Sequence, residues 1–342
     1  MSNQSETFHL LQARPYPALL SLVIPMYNEE AVVPFLRSAI EQFMTEVAGE
    51  TEVILVNDGS TDKTLALIAE WANEDPRVKV IHLSRNFGHQ LACTAGLDFA
   101  SGDAVVVMDA DLQQPLHVVH EMIRRYCEGY DVAYASGLVR QGESWFKKFS
   151  AWFFYRLMRT LVYNRLPVDA GDFRLISRNC FDGLRQMRET HRFLRGMVAW
   201  VGYAQIAIPY QRAPRVAGKS KYPLHKMLAF AWTAATSFSI LPLRIIMTFG
   251  LIVTLFGLEE AVRAVLAHVF HWYTVRGWTE LIVVISVLGG TMLMSIGMLG
   301  EYIGKIYEQS KERPLYLVAR TLNVEAAKPE PASEPLSRSE YR

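Results

Sequence analysis

Val105-Val-Val-Met-Asp-Ala-Asp-Leu-Gln113 is the stretch that decides the fold, because an apolar run ends there in two carboxylates. The apolar run predicts a buried strand, and Asp109 and Asp111 follow its end, one residue apart. Carboxylate oxygens are ligands that Mg²⁺ and Mn²⁺ accept, so the stretch suits a metal ion that carries a phosphorylated substrate. Asp-x-Asp alone is also typical of a solvated turn, so the surrounding sequence has to decide.

Further apolar runs with polar ends precede this stretch, and helical patterns alternate with them. These runs are Leu22–Ile24, Glu52–Val56 and Val78–Leu83. Strands that alternate with helices predict an α/β fold with a mostly parallel sheet and helices on both faces. Such sheets bind ligands beyond the carboxyl ends of their strands. We therefore expect one acidic edge that contains Glu29, Asp58, Asp109 and Asp111.

The sequence contains no glycine-rich phosphate loop. No G-x-G-x-x-G follows the first strand, and Ala213 occupies the glycine position that a P-loop ending in Gly218-Lys-Ser220 requires. An acidic edge would repel a diphosphate unless a metal ion bridged carboxylate and phosphate oxygens. Asp109, Asp111 and the amide of Gln113 are therefore the predicted ligands of Mg²⁺ or Mn²⁺.

The chain resembles the family 2 inverting glycosyltransferases, which have the GT-A, Rossmann-like fold. This resemblance rests on Ser21-Leu-Val-Ile-Pro-Met-Tyr-Asn-Glu-Glu30, Val56-Asn-Asp-Gly-Ser-Thr-Asp62, Arg85-Asn-Phe-Gly88 and Asp109-Ala-Asp-Leu-Gln113. Four later stretches are similar to polyprenyl-phosphate glycosyltransferases, in particular the bactoprenol glucosyltransferases, with dolichol-phosphate mannose synthases as relatives. They are Gly171-Asp-Phe-Arg-Leu-Ile-Ser-Arg178, His191-Arg-Phe-Leu-Arg-Gly196, Ala217-Gly-Lys-Ser-Lys-Tyr-Pro223 and Leu299-Gly-Glu-Tyr-Ile-Gly-Lys-Ile-Tyr307.

The resemblance implies metal-dependent transfer of a hexose, glucose, from a UDP-sugar to undecaprenyl or another polyprenyl phosphate, with inversion. The lipid-linked sugar would serve cell-envelope glycosylation. Two alternatives stay open: transfer of mannose from GDP-mannose or of formamido-arabinose from its UDP donor, and a non-catalytic nucleotide-sugar-binding scaffold in the membrane. The family also implies a homo-oligomer, and Gly300-x-x-x-Gly304 fits helix association.

The resemblance also implies roles for single residues. The predicted nucleotide-sugar contacts are Pro25, Tyr27, Glu29, Asp58 and Asp109. Asp109 and Asp111 would act in catalysis by holding the metal ion that stabilises the leaving diphosphate. Asp172 resembles the family's proposed catalytic carboxylate. Because a lipid phosphate already carries an anionic oxygen, Asp172 could act as a base or only orient a substrate.

Three arginines are the predicted ligands of the acceptor phosphate, since guanidinium binds phosphate bidentately. Arg174 and Arg178 would share a helix face if their segment is helical, and Arg140 would come from a loop. Surface ion pairs are the alternative role for each of them.

Composition excludes some classes of protein. A net charge of +1 over 342 residues gives no reason to expect a nucleic-acid partner. Cys93, Cys127 and Cys180 show no zinc spacing and are expected to be free thiols in a reducing compartment. The first residues lack the pattern of a signal peptide, which places the N-terminal domain in the cytosol.

Two apolar segments near the C-terminus predict membrane-spanning helices. Leu281–Gly300 is 20 residues without a charge, enough for a hydrocarbon core of roughly 30 Å. Ile245–Leu258 is shorter and crosses only if it extends to about Val265; a re-entrant or interfacial helix is the alternative. Basic residues precede the first segment and follow the second, so the positive-inside rule places both of these flanks in the cytosol and predicts two crossings.

The predicted organisation is a multi-pass protein of the inner, cytoplasmic membrane with a cytosolic catalytic domain. Trp145–Arg156 mixes aromatic and cationic residues, which suits a helix in the headgroup layer or a core helix with a basic edge. The predicted parts are an N-terminal extension (1–18), the GT-A catalytic domain (19–217), a juxtamembrane amphipathic region (218–242), two transmembrane helices within 243–302 (about 243–266 and 280–301), a cytosolic C-terminal segment (303–324) and a disordered tail (325–342).

Overall fold

A single sheet organises the part of the chain that the computed structural model describes, residues 11–137, 170–211, 241–270 and 278–324. The strands are β1 (Leu19–Met26), β2 (Glu50–Asn57), β3 (Val78–Leu83), β4 (Ala104–Val107), β5 (Val132–Gly137), β6 (Ala170–Ser177), β7 (Gln205–Tyr210) and β8 (Val318–Leu322). The helices are α1 (Val33–Glu46), α2 (Thr64–Glu74), α3 (His89–Phe99), α4 (His117–Cys127), α5 (Arg178–Gln186), α6 (Leu194–Val201), α7 (Leu241–Val269) and α8 (Trp278–Ser310).

The strand order is β7-β5-β6-β4-β1-β2-β3-β8, and four of the seven pairings among the described strands are parallel. The parallel pairs include β1 with β2, β1 with β4, and β2 with β3. The antiparallel pairs join β6 to β4 and β5, and β8 to β3. The chain moves outward from β1 to β3 and then restarts on the other side of β1 with β4. This reversal creates a switch point, where open α/β sheets bind their ligands.

Helices cover both faces of the sheet, as the sequence predicted. One apolar cluster joins Leu22 of β1 to α1, α2 and α4, and the other joins Val23 to α3, α5 and α6. Neighbouring residues of a strand point to opposite faces, so a strand between two helical layers buries every side chain. This burial explains the continuous apolar runs, and the predicted α/β fold class is confirmed.

The helices α7 and α8 are long and apolar enough to cross a membrane, judged by length and composition. Their apolar windows are Pro242–Glu259 and Val287–Ser310, and only 6% and 0% of these windows are buried inside the protein. Large apolar side chains are open along both helices; Met247 is 69% exposed and Leu293 is 70% exposed. Both helices extend beyond the predicted spans 243–266 and 280–301.

The sheet takes its last strand from the far end of the chain. In β8, Leu322 pairs with Val80 of β3, and the backbone N–H of Ser84 donates to the carbonyl of Leu317 over 2.9 Å. The Tyr316 hydroxyl donates to Asp98 Oδ2 over 2.8 Å, at the C-terminal end of α3. Part of the segment 303–324 therefore completes the sheet.

Some residues of the predicted N-terminal extension (1–18) pack against the domain. Arg14 donates to the Gly129 carbonyl over 2.7 Å and forms a 3.0 Å ion pair with Asp131. The predictions for Trp145–Arg156, for most of the juxtamembrane region 218–242 and for the tail 325–342 lie outside the described residues.

Candidate active site

The carboxyl ends of β1, β2 and β4 place the predicted acidic residues along one edge of the sheet. Met26 pairs with Asn57, and Val23 pairs with Val107, so the residues that follow each strand emerge side by side. Glu29, Asp58, Asp109 and Asp111 all follow these strand ends. The expectation of one acidic edge is confirmed.

A tight turn after β4 fixes Asp109. Its backbone N–H donates to Gln114 Oε1 over 2.8 Å, and Gln114 Nε2 donates back to Asp109 Oδ2 over 2.7 Å. Asp111 Oδ1 accepts the backbone N–H of Gln113 over 3.2 Å. Leu112, between Asp111 and Gln113, has a φ of +54°, which is a left-handed backbone conformation that residues other than glycine rarely adopt. The turn therefore fixes the positions of the Asp109 and Asp111 carboxylates. The sequence did not identify Gln114 as the residue that holds Asp109.

Asp58 joins two loops at the carboxyl edge of the sheet. Its Oδ1 accepts the backbone N–H of Phe87 over 2.7 Å, and its Oδ2 accepts that of Gly88 over 3.0 Å. Burial raises the pKa of Asp58, and these two hydrogen bonds oppose that shift. Gly59 has a φ of +67°, and a Cβ there would lie 2.5 Å from the carbonyl carbon of Arg85, so the position requires glycine. The described contacts of Asp58 thus hold the loop, and its contact with a nucleotide stays a prediction.

The β1 end of the edge carries the other predicted nucleotide contacts. Pro25 is buried within β1, whereas Tyr27 is 42% exposed at the edge. The backbone N–H of Glu29 donates to Thr64 Oγ1 over 2.9 Å, and the Asn28 amide oxygen accepts the N–H of Thr61 over 2.8 Å. These bonds fix the turn and leave the Tyr27 ring accessible.

A charged cluster lies beside Asp109, on β6 and two helices. Because Arg174 pairs with Val107 in the antiparallel β4–β6 ladder, Asp172 comes opposite position 109. Arg195 binds Asp172 with two nitrogens: Nε lies 2.8 Å from Oδ1 and Nη2 lies 3.0 Å from Oδ2. His89 Nε2 lies 3.5 Å from Asp172 Oδ2 and 3.7 Å from Asp109 Oδ1. His89 thus lies between Asp109 and Asp172, and Arg195 binds Asp172.

The pKa values of Asp172 and His89 are shifted in opposite directions. Burial raises the pKa of Asp172, but the hydrogen bond from His89 and the guanidinium of Arg195 outweigh it and hold that pKa well below its ordinary value. Contacts with Cys93, Asp172 and Asp109 raise the pKa of the His89 imidazole well above its ordinary value. The acidic edge therefore includes fixed positive charge as well.

Comparison with known proteins places this chain in a family. The family described as Glycosyl transferase family 2 matches residues 21–185. The chain is 42% identical over 305 residues to the glycosyltransferase YkcC of Bacillus subtilis, covering 89% of this chain and 94% of that protein. The chain belongs to glycosyl transferase family 2.

Two further relatives of this family 2 glycosyltransferase have more specific names. One is the bactoprenol glucosyl transferase of Shigella phage SfV, 38% identical, with 87% of this chain and 97% of that protein covered. The other is the prophage bactoprenol glucosyl transferase homolog of Escherichia coli, 36% identical, with 88% and 98% covered. These matches confirm the prediction that the chain is a glycosyltransferase.

The carboxylates of this glycosyltransferase fit a metal ion that is shared with a substrate. Among the described residues, no three or more His, Cys, Asp and Glu side chains form a group able to hold a metal ion. Mg²⁺ is commonly bound through only one or two carboxylates, with substrate phosphates and water completing its octahedron. Asp109, with a side chain 34% exposed, and Asp111 in the same turn provide this donor set. The role of Gln113, which is buried, stays a prediction.

The structure separates the predicted acceptor arginines. The expectation that Arg174 and Arg178 share a helix face is wrong, because Arg174 lies in β6 and Arg178 begins α5. Arg174 is buried near Asp172, donates to the Gly171 carbonyl over 2.7 Å, and its pKa is lowered to about 10 by burial. Arg178 lies at the opposite edge, about 20 Å along the strand from Asp172 at ~3.3 Å per residue. Its guanidinium there contacts the carbonyls of Ala100 and Ser101.

Arg140, the third predicted acceptor ligand, lies outside the described residues. Sequence reasoning quoted the stretches that contain or adjoin His89 and Arg195 but gave neither residue a role. The signal was present in part, since His89 directly follows one motif that carries the family resemblance and Arg195 lies within another. Their pairing with Asp172 spans 83 and 23 positions, and local patterns do not reveal such contacts.

Proposed function

We propose that this enzyme transfers glucose, with inversion, from UDP-glucose to undecaprenyl or another polyprenyl phosphate. The observation that carries the proposal is the match to proteins named bactoprenol glucosyl transferase, at 36% to 38% identity over 87% to 88% of this chain. The lipid-linked glucose would serve glycosylation of the cell envelope.

The charges of the site suit this reaction. The acceptor phosphate presents an anionic oxygen, so transfer needs a positioned nucleophile and a stabilised leaving group more than it needs a strong base. His89 and Arg195 bring positive charge to the edge where Asp109 and Asp172 meet. Arg174, buried near Asp172, adds a third cation, and Arg140 remains a predicted ligand of the acceptor phosphate.

The donor would bind along the carboxyl ends of β1, β2 and β4. Pro25, Tyr27, Glu29 and Asp58 would contact the nucleoside, with the accessible ring of Tyr27 at the edge. Mg²⁺ or Mn²⁺, held by Asp109, Asp111 and Gln113, would neutralise the charge that develops on the departing UDP.

The two apolar helices would place this chemistry at the cytosolic surface of the cytoplasmic membrane. Exposed side chains such as Met247 and Leu293 suit contact with lipid tails. A homo-oligomer is part of the proposal. A Cβ added at Gly300 or Gly304 would meet no atom within 4 Å, so this face of α8 is open to close approach by another helix.

Transfer to undecaprenyl phosphate tests the proposal. The purified full chain would be given UDP-glucose, GDP-mannose or UDP-formamido-arabinose in turn, and mass spectrometry would identify the lipid product. We expect glucosyl lipid from UDP-glucose alone. A product from another donor would mean that the transferred sugar is not glucose. Donor binding without any lipid product would favour the non-catalytic scaffold.

The metal requirement is tested separately. EDTA should silence the wild type, and Mg²⁺ or Mn²⁺ should restore it. Asp111→Asn should lower kcat more than about 100-fold, because the leaving diphosphate loses its charge partner. The matched control is Asp182→Asn, an exposed aspartate on α5, which should keep wild-type activity. Full transfer in EDTA would contradict the metal assignment.

A further inference from the structure

Side chains from two helices contact the two oxygens of the Asp172 carboxylate. Arg195 binds Oδ1 and Oδ2 as a fork, at 2.8 and 3.0 Å, and His89 lies 3.5 Å from Oδ2. The Asp172 side chain is only 14% exposed. Charge-assisted bidentate pairs of this kind fix both the position and the orientation of a carboxylate.

We propose that Asp172 is a fixed anion rather than a general base, and that Arg195 is the positioning residue that fixes it. The proposal rests on the proposed acceptor, a polyprenyl phosphate. In that reaction a phosphate oxygen forms the new bond to the anomeric carbon, while the bond to UDP breaks and UDP leaves with its electrons. No proton has to be removed from an ionised phosphate, so the reaction balances without a base.

The state of Asp172 agrees with this role. A general base works best when its pKa lies near the operating pH. The pKa of Asp172 is held well below that range, with burial opposed by His89 and Arg195. A carboxylate in this state binds cations well and accepts protons poorly.

The fixed anion organises the site through α3 and α6. Arg195 lies in the first turn of α6, where the backbone N–H of Leu194 donates to Gln90 Oε1 over 2.9 Å. Gln90 follows His89 in the first turn of α3, so the starts of the two helices are joined. His89 in turn lies 3.7 Å from Asp109 Oδ1. Arg195 therefore acts on the predicted metal ligand through Asp172 and His89.

Arg195→Lys tests the positioning role, since lysine keeps the charge but loses the fork. We expect kcat to fall roughly 10- to 100-fold, the range for residues that orient a metal site, with the KM for UDP-glucose and UDP affinity within about twofold. Arg77→Lys is the matched control, because Arg77 forms the same fork with Asp75, at 3.0 and 2.7 Å, at an exposed site. Wild-type kcat in Arg195→Lys, or an equal loss in Arg77→Lys, would overturn the role.

A double-mutant cycle tests whether Arg195 acts through Asp172. The full chain would carry Arg195→Ala, Asp172→Asn or both, with UDP binding and thermal unfolding measured to confirm folding. If Arg195 only positions Asp172, the double variant should be no slower than Asp172→Asn. Losses that multiply would mean independent roles, as for a base and a separate phosphate ligand, and would refute the inference.

Failure of the proposed function gives a different result. A wild type that makes no lipid-linked sugar refutes the polyprenyl phosphate acceptor and, with it, the argument that no base is needed. The same cycle measured on hydrolysis of UDP-glucose would still decide the coupling between Arg195 and Asp172: a double variant no slower than Asp172→Asn supports it, and multiplying losses exclude it.

Discussion

Asp58→Asn should destabilise the catalytic domain, because Asp58 uses its two oxygens for two different backbone N–H groups. An asparagine offers one oxygen, so either the N–H of Phe87 or that of Gly88 would face an NH₂ group instead. A hydrogen bond to a charged group contributes ~1.5–3 kcal/mol to stability, and a buried donor without a partner costs a comparable amount. Burial raises the pKa of Asp58, so removing its charge returns part of the desolvation cost.

The net loss in the free energy of unfolding should be about 2 kcal/mol, within the range for a lost charge-assisted hydrogen bond. At ~2–4 °C per kcal/mol for a domain of 150–250 residues, Tm should fall by about 4–8 °C. Differential scanning fluorimetry of the full chain in detergent, with and without UDP, measures this shift. If Asp58→Asn weakens UDP binding by more free energy than it destabilises the fold, Asp58 also contacts the nucleotide directly.

Asp103→Asn is the matched control. Asp103 also accepts two backbone N–H groups, from Ala18 at 2.9 Å and Leu19 at 3.2 Å, but both bond the same oxygen, Oδ2. An amide oxygen can replace Oδ2, and the site is exposed, so the change should stay within ~0.5 kcal/mol. Equal Tm values for Asp58→Asn and Asp103→Asn would refute the reasoning.

Three other predictions follow from the structure. In a cysteine-free background, a cysteine placed in 271–277 should react with an impermeant maleimide from outside the cell, and one at Ser333 should not; the reverse pattern would contradict two crossings. Because the pKa of Asp172 is depressed, its ionised form stabilises the fold above the ordinary value of 3.8 and this contribution is lost as the pH falls, so the Tm difference between wild type and Asp172→Asn should shrink below pH 3.8. Alkylation of the native protein should reach the partly exposed Cys127 before the two buried cysteines, as peptide mass spectrometry would show.

The sequence predicted the central strands well because each is an uninterrupted apolar run. The run Val78–Leu83 matches β3 residue for residue, and the apolar run before Asp109 corresponds to β4, which ends at Val107. Strands buried on both faces produce this pattern directly, so the acidic edge could be located from the sequence, whereas the strand order and its switch point came from the structure.

The segment around Arg174 shows where local reading fails. Phe173 and Leu175 pack on one face of the sheet and Ile176 on the other, which is the alternation of a strand. The spacing of four would place Arg174 and Arg178 on one face of a helix, but Arg174 lies within β6 and Arg178 follows the end of that strand, far from Asp172. His89 and Arg195 were missed for another reason, since their positions depend on how α3 and α6 pack together.

The β8 strand determines when the catalytic domain can be completed during synthesis. The ribosome synthesises Val318–Leu322 only after both apolar helices. Until then β3 is an open edge strand whose backbone groups could pair with another chain. If the two helices insert into the membrane as proposed, closure of the sheet comes after the synthesis of both of them, and a chain truncated within α8 would be an incomplete enzyme with an open, aggregation-prone sheet edge.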